Sequence, residues 1–207
     1  GAKREAMMIL FQNARGLQRA HRTCQCGILI VMPMFSPTLM DMHIFGCLTA
    51  FPPGPFKEIF AGTAAVTRAV KRLGIPADEP VELYEDPLHP KERERRADHD
   101  VMRDEVANDL IKQADTPPGP GVANLWMFEN PCVSFSDHNT MGGTRIWDNP
   151  AGTGRHHKEL VGNDLSRTTV NCILKLHKWG KGWIFENRAR RGIYPKVYGL
   201  PWFVAML

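Results

Sequence analysis

Metal-binding and disulfide patterns are missing from this chain. Among its 5 cysteines and 8 histidines there is no Cys-x-x-Cys and no His-Glu-x-x-His; Cys24-x-Cys26 and His156-His157 come nearest. The ligand spacing that builds a zinc site is therefore absent, and no metal ligand is assigned. Cys24, Cys26, Cys47, Cys132 and Cys172 are odd in number and form no paired framework, which points to a reducing intracellular compartment, nucleus or organelle. An unbroken apolar run of about twenty residues is also lacking. The most apolar stretch, 24–51, is cut by Pro33, Pro37, Asp41 and His43, so no transmembrane span is expected. Strong net charge is absent too. A formal charge of +4 permits a nucleic-acid partner without requiring one.

What is present suits a folded chain. With 43% hydrophobic and 23% charged residues, an ordinary core can be buried. Residues 1–55 read as an extension and 56–207 as an α/β domain. The extension begins basic, with Lys3, Arg4, Arg15, Arg19 and Arg22 against the single acid Glu5. That composition fits either a transit segment or a basic surface helix. It then turns apolar and methionine-rich over 24–51, a packing surface for the core or for a partner, before the linker Pro52-Pro53-Gly54-Pro55.

In the domain, Phe56 to Phe60 reads as a short strand entering a small-residue turn, Ala61-Gly62-Thr63-Ala64-Ala65. Val66, Ala69, Val70 and Leu73 follow at helical spacing, with Gly74 as the stop. Strand, turn and helix of this kind bring backbone amides and a helix N-terminus to a cofactor. Pro80-Val81-Glu82-Leu83-Tyr84 reads as the next strand. Its Glu82, about twenty residues beyond the turn, suits ribose hydroxyls or is a plain solvated carboxylate. The charged run from His89 to Arg103 reads as a solvated face, and Asp104 to Gln113 as a polar helix. Val122 to Phe128 is a buried strand that feeds Glu129-Asn130-Pro131-Cys132-Val133-Ser134-Phe135-Ser136. A long irregular segment follows, then a helix over Glu159 to Trp179 with Cys172 on its core side. A second buried strand, Gly182 to Phe185, ends in Glu186-Asn187, before a basic and aromatic cluster with Arg188, Arg190 and Arg191.

These stretches together resemble the catalytic half of the cytosine-C5 DNA methyltransferases. Phe60-Ala61-Gly62 with Ala64-Ala65 resembles the family's Phe-x-Gly-x-Gly/Ala cofactor motif. Pro131-Cys132-Val133-Ser134-Phe135-Ser136 resembles its Pro-Cys-x-x-Phe-Ser motif, and Glu186-Asn187 its Glu-Asn motif. The likeness covers about Phe56 to Tyr194. It implies a Rossmann-like S-adenosylmethionine-dependent methyltransferase fold carrying an N-terminal apolar extension. It further implies S-adenosylmethionine as cofactor, held by Phe60, Gly62, Ala64 and Glu82. Cys132 would be the nucleophile that adds to the cytosine ring, and Glu186 the acid on ring N3. Ser134, Ser136, Arg188, Arg190 and Arg191 would meet nucleic acid, DNA rather than RNA, with the target base out of its stack.

The sequence departs from that pattern. The glycine turn reads Thr-Ala-Ala, Glu58 stands where Asp is usual, Asn130 precedes Pro-Cys, and Arg188 follows Glu-Asn. A Gln-x-Arg-x-Arg motif is not evident, and no target-recognition domain is read up to Leu207. Two further readings therefore stand beside the enzyme. One is a catalytically inactive methyltransferase-like subunit, recruited through 24–51 into a larger assembly, such as an organellar one. The other is a nucleic-acid-binding module without chemistry.

Overall fold

Four short strands of this chain are too brief to stand alone, and they solve that by pairing in parallel in the order β1-β4-β3-β2. The computed structural model describes residues 27–30, 54–84, 94–131, 135, 144–146, 148–186 and 200–206. Within these, β1 is Gly27–Ile30, β2 Phe56–Ile59, β3 Leu125–Glu129 and β4 Gly182–Glu186. The helices are α1 (Ala65–Arg72), α2 (Asp104–Ala114), α3 (His157–Lys178) and α4 (Pro201–Met206), with a single 3-10 turn at Ala97–His99. The fold is thus mixed α/β. Within the 24–51 stretch, Gly27–Ile30 lies beside β4 and extends the sheet.

A two-residue side-chain period divides β2, β3 and β4 between two covered faces, as parallel sheets require. Phe56, Leu125, Met127 and Ile184 pack with Val66 and Val70 of α1 on one face. Ile59, Trp126, Phe128, Trp183 and Phe185 face the larger core, which includes Leu110 of α2, Leu165, Cys172 and Leu176 of α3, and Phe203 of α4. The Phe185 and Phe203 rings lie 4.7 Å apart, tying the short C-terminal helix to the sheet. Asp115, just past α2, accepts hydrogen bonds from Lys175, Lys178 and Trp179 and so pins α2 to the end of α3.

Two expectations are corrected. The spacing of Val66, Ala69, Val70 and Leu73 predicts one face of a helix, but α1 ends at Arg72 and Leu73 is 52% exposed. Gly74, at φ 75°, turns the chain so that Ile75 packs there in its place. The expected strand Pro80 to Tyr84 is reduced to bridges. Ala77 pairs with Phe56 and Val81 with Ile59, so the outer segment takes one residue more than β2 over the same span. That extra residue falls at Glu79-Pro80, where proline supplies no N–H, and the ladder breaks as in a bulge.

The order of events along the chain positions the site. After β2 the chain crosses to the Ala77–Val81 segment on one side of β2. It then returns through α2 to β3, on the other side of β2. The carboxyl ends of β2 and β3 therefore flank a reversal of strand order, where open α/β sheets hold their ligands.

Candidate functional site at the strand ends

The turn that leaves β2 is bent by three residues in the left-handed region: Phe60 at φ 61°, Gly62 at φ 51° and Ala64 at φ 53°. Only glycine adopts that conformation freely; a side chain there costs about 1–2 kcal/mol. Neighbouring hydrogen bonds hold the turn in place. The Phe60 and Ala61 N–H groups donate to the Val81 carbonyl at 2.8 and 3.2 Å, and the Ala64 N–H donates to Ala61 O at 2.6 Å. Left-handed residues alternating in a loop make a concave run of amides. A Cβ at Gly62 would meet nothing within 4 Å, so the turn borders open space.

Glu82 joins this turn directly. Its Oε2 accepts the Gly62 N–H at 2.8 Å, and its own N–H donates to His99 Nδ1 at 3.4 Å. Phe60, Gly62, Ala64 and Glu82, the residues expected to serve a cofactor, are therefore brought together at the end of β2. Ala64 holds its left-handed backbone with a side chain in place, and the turn carries that strain.

Carboxylates converge beside it. Glu58 is fully buried, and its Oε2 accepts the Thr67 N–H at 2.7 Å and the Thr67 hydroxyl at 2.5 Å, at the positive end of α1. Glu129 ends β3 on the same sheet face as Met127, and its register partner is Glu186 of β4. Burial pushes the Glu129 carboxyl up to about 9, aided by the charge of Glu58, a hydrogen bond to Glu58, and the charges of Glu186 and Glu82. Glu58 Oε1 and Glu129 Oε1 are buried acceptors without a donor among the described residues. A proton on Glu129 supplies that donor, directed at Glu58, and so adds to the effect of burial.

The chain beyond β3 is anchored from below. Asn130 is buried, and its Oδ1 accepts the Thr169 hydroxyl of α3 at 2.8 Å. Asn130 thus fastens the residue before Pro131 to the long helix. Further on, the Arg145 guanidinium lies 3.9 Å over the Phe135 ring and donates to Pro150 O, Asn163 Oδ1 and Glu159 O. Glu159, also fully buried, accepts the Thr144 N–H and hydroxyl at 2.5 and 2.8 Å.

Cys132, Ser134, Ser136, Arg188, Arg190 and Arg191 lie outside the described residues. Glu186 is within them, on the strand beside Glu129. Sequence reasoning missed the Glu58–Glu129 pair and the Arg145–Phe135 stack. A signal existed for Glu58, since an acid inside a four-residue strand of otherwise buried positions needs a partner. No family model, no curated protein and no solved structure matches the chain. Among the described residues no group of acids, histidines and cysteines is arranged to hold a metal ion, and no helix is long and apolar enough to cross a membrane.

Proposed function

We propose that the Phe60–Ala64 turn and the adjoining ends of β3 and β4 take S-adenosylmethionine, and that the domain is a cytosine-C5 methyltransferase-like unit with a Rossmann-like fold. The observation that carries this reading is the strained Phe60–Ala64 turn with Glu82 on its Gly62 amide, placed where the strand order reverses. The carboxyls support the cofactor class. Glu58, Glu82 and Glu186 gather at these strand ends around the neutral Glu129, a setting that disfavours a pyrophosphate and suits a sulfonium, an ammonium and ribose hydroxyls. S-adenosylmethionine supplies an electrophilic methyl group when bound. Of this chain's residues, Glu82 and the Gly62 turn bind it, Cys132 adds to the cytosine ring, and Glu186 holds the proton at ring N3. Ser134, Ser136, Arg188, Arg190 and Arg191 are assigned to the nucleic acid, DNA before RNA.

Calorimetric titration tests the cofactor step. Micromolar S-adenosylmethionine binding, absent for NAD and lost in Gly62→Trp and Glu82→Ala, is the expected result. Binding that survives both variants would overturn the assignment. A second reading is an inactive subunit of a larger assembly, such as an organellar one, held through 24–51. Ala64 favours it, because its methyl group sits on the turn the cofactor must approach. No heat at millimolar S-adenosylmethionine, restored by Ala64→Gly, would decide for that reading.

A further inference from the structure

Lys57 and Glu58 are adjacent on β2 and so serve opposite faces of the sheet. Glu58 lies on the face of the carboxyl cluster described above, buried against Thr67. Lys57 points the other way, and a cavity of about 530 Å³ opens over it, outside the proposed cofactor site. Its walls come from three elements: Asp78 and Val81 of the outer segment, His99 of the 3-10 turn, and Val106, Asp109 and Leu110 of α2.

The amine at its base is unusual. Lys57 is 7% exposed, and its Nζ lies 5.5 Å from the centre of the Trp126 ring. Asp78 Oδ2 stands 3.8 Å away, an ion pair too long for a hydrogen bond. No hydrogen-bond partner of the ammonium is found among the described residues, and Lys57 lines the cavity. The other charges around the cavity are largely committed. Arg96 holds Glu79 and Asp98, and Asp109 Oδ2 accepts the Gln113 amide at 2.6 Å.

We propose that Lys57 is the reactive amine of a second site, which takes a small neutral aldehyde and holds it as an imine. The acids around the cavity exclude anionic carbonyl compounds, while Val81, Val106 and Leu110 suit a short carbon chain. In the step, the Nζ lone pair adds to the carbonyl carbon. The nitrogen then loses its protons, and the former carbonyl oxygen departs as water, leaving a carbon–nitrogen double bond. No oxidant or reductant is consumed. Burial lowers the Lys57 pKa and outweighs Asp78, Asp109, Glu79 and Cys172, which raise it. Of these, the Cys172 thiol is pushed up to about 12 by burial and stays neutral. At a given pH a larger share of this amine is therefore free than of an exposed lysine, and the free form is the nucleophile.

Lys181 is the internal control. It is also fully buried with a lowered pKa, but its Nζ faces Gln113 O at 3.5 Å, and it is absent from the cavity wall. The whole chain is treated with propanal and cyanoborohydride at pH 7, and the propylated lysines are mapped by peptide mass. Lys57 is expected to be modified ahead of exposed Lys71, Lys112 and Lys178, with Lys181 spared. Its lead should shrink as the pH rises toward the ordinary lysine range. Val106→Phe, which fills the cavity without touching the amine, should slow modification at Lys57 alone. Lys57 modified no faster than the exposed lysines, or only together with Lys181, overturns the proposal. Wild-type mapping gives that answer even if the variant fails to fold.

Discussion

Replacing Glu129 by glutamine should make this protein more stable at neutral pH, the reverse of what losing a charged strand-end residue usually does. The sign follows from linkage. An unfolded chain ionises Glu129 near the ordinary glutamate value of about 4.3. The folded chain keeps it protonated up to about 9. Below the unfolded value both states carry the proton and the group is silent. Between the two values only the unfolded state gives up its proton, so folding is penalised by about 1.4 kcal/mol per pH unit. At pH 7 that penalty is at most roughly 4 kcal/mol, an upper bound because part of the raised value comes from the neighbouring carboxylates and not from burial alone. Glutamine is isosteric, carries no titrating proton, and its amide N–H replaces the carboxyl O–H as the donor to Glu58. Urea unfolding followed by the fluorescence of buried Trp126 and Trp183 reads the difference, with the slope m expected to be unchanged. Glu129→Gln should match the wild type near pH 4 and pull ahead steadily to pH 8. Other groups, among them Asp115 with its carboxyl held well below the usual range by Lys178, Lys175 and Trp179, cancel in the comparison. A variant that is no more stable at pH 8, or a difference that does not change with pH, would refute the reasoning.

Three further outcomes follow from the same geometry. Ala64→Gly removes a side chain from a φ of 53° and should gain about 1 kcal/mol, raising Tm by about 2–4 °C in a calorimetric scan. Gly152→Ala and Gly180→Ala both put a methyl group at positive φ, but only the first drives it into the Glu159 carboxylate. Thermal melts should therefore show Gly152→Ala clearly worse than Gly180→Ala, whose cost is the backbone term of about 1–2 kcal/mol alone. Arg145→Lys keeps the charge but loses the stack on Phe135 and the fork that reaches Asn163 and Glu159. It should cost roughly 2–3 kcal/mol in urea unfolding, through buried acceptors left unmet.

Where apolar periodicity was strong, the elements were legible. The helical spacing around Cys172 places it in the core of α3, and the runs ending in Glu129 and Glu186 are neighbouring strands of one sheet. The Pro80–Tyr84 segment misled because its pattern is strand-like while Pro80 cannot donate to a ladder. Left-handed Phe60 and Ala64 carried no signal at all, since neither residue type announces a positive φ. The Glu58–Glu129 pair was equally hidden. Its members are 71 positions apart by their numbers, and only the β2–β3 register, with Glu58 against Met127, puts both on one face.

That hidden part deserves weight because its costs coincide. A domain's net stability is only about 5–15 kcal/mol. Two side chains at positive φ and one carboxyl forced neutral would each draw on it by a kcal/mol or more. Elsewhere among the described residues the turns at positive φ fall on glycine: Gly74, Gly121, Gly152, Gly154 and Gly180. The exceptions gather at the ends of β2 and β3, where the strand order reverses and Glu82 meets Gly62. Strain that persists in one place, while the rest of the chain follows local preference, argues for a selected shape at that place. On this argument Ala64→Gly and Glu129→Gln should raise stability while altering whatever the site binds. A stabilised double variant with unchanged ligand affinity would mean that the strain serves packing alone.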